Sequence, residues 1–438
     1  MAELVFSGTQ GQQITLSTQW DANIGHCEGE TVVLLEPDGQ TQLYNHSEGC
    51  GSWDQSPVLT LPVGGTYVAQ LLIAGPYSGT VILSASAPLV ADSSIGAAVS
   101  VLPTTLPGQV AELVFSGTQG QQITLSTQWD ANIGHCEGET VVLLEPDGQT
   151  QLYNHSEGCG SWDQSPVLTL PVGGTYVAQL LIAGPYSGTV ILSASAPLVA
   201  DSSIGAAVSV LPTTLPGQVA ELVFSGTQGQ QITLSTQWDA NIGHCEGETV
   251  VLLEPDGQTQ LYNHGEGCGS WDQSPVLTLP VSGTYVAQLL IAGPYSGTVT
   301  LSAAAPLAVS GAVGMSSSVH TTLPGEVAQV NFNGQAGQQI QLITVWGTNL
   351  AQCEGETVVL LEPDGQTQLY NHSEGCGNSD QSGTITLPVS GTYEWRFIPD
   401  GPFFDEVEFS LIGMPAGTTA ELGSLAIANS SFEDNPLM

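Results

Sequence analysis

Carboxylates, imidazoles and thiols crowd one stretch of this sequence. Residues 21–54 carry Asp21, Glu28, Glu30, Glu36, Asp38, Glu48 and Asp54, with Asn23 and Asn45 as neutral oxygen donors. His26 and His46 flank Cys27 and Cys50 in the same stretch. Ca²⁺ takes six to eight oxygens, often from a loop that turns on Gly. Asp21, Asn23, Glu28, Glu48 and Asp54 are the candidate set for it. Asp21-Ala22-Asn23-Ile24-Gly25 alternates as a calcium loop does but lacks the rest of an EF-hand. Solvated loop carboxylates that keep the chain soluble are the other reading of the same residues. A Cu or Zn pair from His26 and His46 is the nitrogen-based alternative. However, the fourth copy of the stretch has Gln352 in place of the first His, so a His–His site common to all copies is not expected. No Gly-x-Ser-x-Gly elbow or His-Glu-x-x-His helix occurs, and no nucleophile stands with a base and an orienter. The chain is therefore not expected to be an enzyme, and no cofactor other than Ca²⁺ is expected.

The segment 27–51 returns at Cys136, Cys245 and Cys353, and the last copy matches the first at every position although its surroundings have drifted. The cysteines pair at one fixed spacing: Cys27 with Cys50, Cys136 with Cys159, Cys245 with Cys268, and Cys353 with Cys376. A Zn site wants four ligands at short spacings such as Cys-x-x-Cys, and none is present. One disulfide inside each copy is expected, worth roughly 3 kcal/mol for a loop of this size in the chain-entropy picture. Disulfides imply an oxidising compartment, so the expected location is extracellular, at a bacterial cell surface.

These segments belong to a larger repeat whose copies open at Ala2, Ala111, Ala220 and Ala328. A unit of about 110 residues can bury its own core, unlike the shorter units of solenoids. The 438 residues hold 41 Asp and Glu but one basic residue, Arg396, and the net charge is −40. Nothing can neutralise phosphates, which excludes nucleic acid and attraction to anionic lipid. No apolar run is long enough to insert in a membrane. Divalent cations are the partners such a surface attracts.

Within the first copy, residues 2–6, 12–20, 31–35, 42–44, 58–61, 66–72 and 80–86 read as strands, and no window reads as a helix. Ile14, Leu16 and Thr18 share one face, and Pro37-Asp38-Gly39 makes a tight turn. Short strands punctuated by Gly, Pro and Asp predict an all-β fold: four tandem antiparallel β-sandwich domains of jelly-roll or immunoglobulin-like form, one intradomain disulfide in each. Residues 87–94 read as a linker. The run from Leu106-Pro107-Gly108 to Leu125, the turn Pro146-Asp147-Gly148, and the run from Leu168 to Tyr176 together resemble the bacterial pre-peptidase C-terminal domain. That family is a jelly-roll-like β-sandwich on secreted bacterial proteins, some members binding Ca²⁺ or collagen, so the resemblance implies this fold and export. It also implies that the segment before each Pro-Gly-Gln turn, such as 96–102 or 205–211, gives a strand to the domain that follows.

The expected domains are then 1–91 (lacking its leading strand), 92–200, 201–307 and the divergent 308–416, with a tail, 417–438. The tail segment 422–429, carrying Leu422, Leu425 and Ile427, is similar to 95–102 and is a candidate donor strand. Self-association follows as an expectation: the tail of one copy fills the gap of the next and builds a head-to-tail homopolymer. The functional expectation is an extracellular structural repeat protein of a bacterial surface fibre, stalk or filament. The alternative is an adhesin or array of binding modules that grips glycan or protein through loops near the disulfide, with Trp53, Trp162 and Trp271 as contacts.

Overall fold

The computed structural model describes residues 1–24, 29–48, 51–134, 138–158, 160–243, 247–266, 269–351, 355–375 and 377–414. All eight cysteines, with Glu28, Leu422, Leu425 and Ile427, lie outside the described residues. Among those described, the secondary structure is 38 strands and no helix.

The first repeat holds β1 (Ala2–Gly8), β2 (Gln13–Trp20), β3 (Glu30–Leu35), β4 (Gln42–Glu48), β5 (Trp53–Gln55), β6 (Leu59–Thr60), β7 (Gly65–Leu72) and β8 (Val81–Ser86). One sheet runs β1-β7-β3-β4; in the other, β5, β6 and β8 pair with β2. Each strand alternates because one face meets the opposite sheet: Ile14 and Leu16 pack with Leu34, Leu61, Tyr67 and Ala69, as a pleat of period two requires. The Pro37-Asp38-Gly39 turn forms as read. Asp38 accepts hydrogen bonds from the amides of Gln40 and Thr41 at 2.9 and 2.8 Å, and Gly39 takes a φ of 69°.

The second repeat begins with β9 (Leu89–Asp92) and β10 (Ser100–Pro103). It continues through β11 (Ala111–Gly117), β12 (Gln122–Trp129), β13 (Glu139–Leu144), β14 (Gln151–Glu157), β15 (Trp162–Gln164), β16 (Leu168–Thr169), β17 (Gly174–Leu181) and β18 (Thr189–Ser195). Its sheets are β14-β13-β17-β11-β9 and β10-β18-β12-β15, with β16 also on β12.

The expected fold class needs correction. The chain is all-β, but its strands are arranged as a β-solenoid of about 11 turns rather than as tandem sandwiches, and no disulfide falls among the described residues. Two features account for the difference. The path changes sheet at most connections, in the first repeat at all but β3–β4 and β5–β6, so the backbone coils round its core instead of meandering in one layer. The segment read as a linker is also no linker. Leu89–Asp92 lies parallel on β11, Leu89 opposite Ala111 and Asp92 opposite Val114, so the sheet is mixed rather than antiparallel. Compactness follows suit, for Met1–Ala303 forms one unit and Ala304–Met438 a second.

Inside Met1–Ala303 the repeats interlock at a joint. The Pro107-Gly108 turn of the second repeat lies on the outer face of β2, which is why Thr15 and Ser17 are buried alongside Ile14 and Leu16. Thr15 Oγ1 donates to the Gly108 carbonyl at 3.2 Å and Gln55 Nε2 to the same oxygen at 3.1 Å. The joint recurs one repeat later, with Thr124 and Gln164 on Gly217 at 3.3 and 2.8 Å. Gly108 has a φ of 64°, and a Cβ there would sit 2.9 Å from Gln55 Cδ. Gly120 has a comparable φ of 81° with open space around it. Gly120→Ala should therefore cost the left-handed strain alone, about 1–2 kcal/mol, while Gly108→Ala should cost more. Urea denaturation of the two variants checks the ordering.

Candidate functional site

Strands β4 and β5 bring the sequence-predicted ligands Glu48 and Asp54 to one place, at the rim where the two sheets of a repeat meet. Tyr44, His46 and Glu48 alternate along β4, so all three side chains leave the same face. Across the register they oppose Leu34, Val32 and Glu30, all buried, and this face is the inner one. Asp54 rises from the facing sheet and is buried at 2% exposure. The Nδ1 of His46 is 2.5 Å from Asp54 Oδ1, and Tyr44 donates its hydroxyl to the same carboxylate at 3.1 and 3.2 Å. An ionised carboxylate only accepts, so the ring nitrogen facing it, Nδ1, carries a proton.

The constellation is present in all four repeats. His155–Asp163, His264–Asp272 and His372–Asp380 are 2.6, 2.5 and 2.7 Å apart, each with its Tyr hydroxyl donating to the acid. Burial pushes the Asp54, Asp163 and Asp272 carboxyls above their ordinary value, and the hydrogen bond from the His opposes that shift. Burial, and then the neighbouring Asp54 charge, pushes the Tyr44 hydroxyl far up. Sequence reasoning set His46 against His26 and missed this pairing. The signal was a His and an Asp kept at one spacing in every copy, even where Ser379 replaces Trp53.

Asp21 and Asn23 stand elsewhere. The Asp21 carboxylate accepts from the amides of Thr80 at 2.8 Å and Asn23 at 3.0 Å, which holds the end of β2 to the start of β8. The Thr80 amide, the largest influence, draws its carboxyl below the ordinary value. The fourth repeat replaces this Asp by Gly347 but compensates from across the gap. Asp405 stands where the first repeat has Gly79, and its carboxylate accepts from the Asn349 amide at 3.2 Å. In both arrangements the glycine makes room for the acid, since a Cβ on Gly79 or Gly347 would meet that carboxylate at 2.2 or 2.1 Å. One carboxylate per repeat, supplied from either side, is a turn clamp.

The tryptophans are half-buried in the first three repeats. Trp53 reaches the second repeat, where a Cβ on Gly184 would lie 3.6 Å from its Cε2. Trp162 borders an opening with Gly247, Thr249 and Ile291 of the third. Ser379, at the same place in the fourth, is exposed. The one basic residue, Arg396, is buried and donates through Nε to Gln329 at 2.9 Å. Earlier repeats fill that cross-strand pair with Gln179 donating to Glu112 at 2.7 Å.

The architecture and the recurring rim together define a β-rich repeat protein. No family model matches the chain, and no curated protein matches it either. Among solved structures, the chain is similar to the pre-peptidase C-terminal domain of collagenase from Bacillus anthracis, at 16% identity over 24% of this chain and 95% of that one, with a TM-score of 0.21. It is also similar to PliG of Aeromonas hydrophila, a periplasmic inhibitor of g-type lysozyme, at 14% identity over 25% of this chain and 99% of that one, TM-score 0.18. A triple jelly roll protein of an archaeal virus matches over 71% of this chain and 84% of its own length, at 10% identity and TM-score 0.18.

Two predictions follow from the acids. Asp130→Gly should lower the unfolding free energy measured by urea denaturation by about 1 kcal/mol, the scale of one hydrogen bond, and Asp130→Gly with Gly188→Asp should restore it by rebuilding the Gly347–Asp405 arrangement. The second concerns pH. The hydrogen bond from Thr41 and the two turn amides hold the Asp38 carboxyl below 3.8, so the stability it adds is complete above 3.8 and lost as pH falls through its folded value. Asp54 runs the other way, protonating above 3.8. Carboxyl-carbon NMR titration should place the Asp38 midpoint below, and the Asp54 midpoint above, that ordinary value.

Proposed function

We propose that the chain is an extracellular structural repeat protein, a subunit of a bacterial surface fibre, stalk or filament, and not an enzyme. Copies join head to tail by strand donation, the tail 417–438 of one chain to the first repeat of the next. The observation that carries this reading is the way repeats already join within Met1–Ala303. There, β9 and β10 complete the edges of β11 and β18, and the sequences that accept them recur unchanged in β1 and β8. Among the described residues, β1 ends its sheet with no strand on its outer side. Leu4 and Phe6 are half-exposed there, whereas their counterparts Leu113 and Phe115 are each 1% exposed. A sheet edge with unpaired N–H and C=O groups and apolar side chains is a template for another strand. The lodging of Trp53 and Trp162 at joints favours the structural reading over a glycan- or protein-gripping loop.

The Val114 carbonyl accepts from the Ser93 amide, so the matching Val5 backbone points outward from β1. Val5→Pro should remove that outward N–H and leave the pairing of β1 with β7 intact. Light scattering and electron microscopy should find concentration-dependent chains of molecules for the unaltered protein and monomers for Val5→Pro. Deleting 422–438 should have the same effect. Fibres that persist in both variants would sink strand donation.

A further inference from the structure

We propose that His46, Glu48 and Asp54, with their counterparts at 155/157/163, 264/266/272 and 372/374/380, form four binding sites for a borderline divalent ion, Zn²⁺. In each group one atom from each of the three side chains lies within 4.8 Å of the other two. Nδ1 of the His is 3.5–3.7 Å from the Glu carboxylate and hydrogen-bonded to the Asp. Ligands at roughly 2.0–2.2 Å from a Zn²⁺ stand about 3 Å or more apart, so the three donors need to part only slightly to admit it. Imidazole with two carboxylates suits such an ion. Three donors fall short of the six to eight oxygens of Ca²⁺. The half-exposed ring leaves the remaining position to water.

Two further observations point to a cation at this rim. In the first repeat, Glu30 is completely buried directly across the register from Glu48, and neither of its oxygens has a hydrogen-bond partner among the described residues. The chain also has no Lys and a single Arg, itself buried beside Gln329 and Glu394, so no ammonium competes for these acids. When the ion takes Nδ1, the ring proton moves to Nε2; no charge is lost from the imidazole and no co-reactant is needed. The bound ion links β4 of one sheet to β5 of the other, a clamp across the open side of the core.

The test uses the full chain and Zn²⁺ alone. Equilibrium dialysis should find four ions per chain, and ¹⁵N NMR of the histidines should show four rings changing from the Nδ1–H to the Nε2–H tautomer as zinc is added. The variant with His46, His155, His264 and His372 all changed to Gln should lose these sites, its affinity falling by at least the roughly 10–100-fold that outer-shell changes alone cause. The variant with His26, His135 and His244 changed to Gln should keep all four. Should the first variant fail to fold by circular dichroism, the tautomer change in the unaltered chain decides the matter. Zinc held without that change, or four ions still held by the folded first variant, overturns the proposal.

Discussion

The backbone along the outer edges of β11 and β18 must find hydrogen-bond partners, and the chain meets that demand with the segment just before each repeat. The four residues Leu89–Asp92 lie on one edge and Ser100–Pro103 on the other. Much else follows from this placement. The Pro-Gly turn between β10 and β11 is carried onto the previous repeat, where it covers the outer face of β2 over the buried Thr15 and Ser17, and its Gly108 carbonyl accepts from Thr15 and the half-buried Gln55. Small hydroxyl side chains suit that face, because they satisfy a carbonyl without filling the space the turn occupies. Stability is thereby shared between neighbours, as in other arrays whose units contact mainly the next in line.

A second constraint is the near absence of basic side chains. Asp54 and Glu112, which the fold draws inward, have no Lys or Arg to meet them and accept instead from Tyr44 and His46 and from Gln179, while Asp21 and the exposed Asp38 accept from backbone amides. Where Arg396 does enter, its strand partner changes from Glu to Gln and an acid, Glu394, stands two residues away. The Asp21–Gly79 and Gly347–Asp405 exchange obeys the same logic. One carboxylate fits the gap, the residue facing it has to be Gly, and either strand can supply the acid.

Much of this was legible in the sequence, and what was not has a common cause. Alternation and turn chemistry are local, so the strands and the Pro37-Asp38-Gly39 turn could be read from Ile14, Leu16, Asp38 and Gly39 alone. Leu89–Asp92 reads as a linker because four residues beside a proline carry little period, and only the β11 edge twenty-two positions on makes them a strand. The His46–Asp54 contact escaped for a related reason. The two residues are eight apart in sequence but belong to facing sheets, and the reading sought the partner of His46 beside the other cysteine. Asp21 was grouped with Glu48 and Asp54 by sequence proximity, whereas the fold spends it on the Thr80 amide. The cysteine pairing lies outside the described residues.

One feature of the joint reaches beyond the single molecule. The surface that receives β9 and the Pro-Gly turn is made of the same residues in the first and second repeats, and so is the segment that fills it. Inserting or excising a copy of the second unit therefore leaves the contacts of the joint chemically unchanged. A gene with such a period can lengthen or shorten by unequal crossing-over between its own copies, and the product needs no compensating substitution to fold.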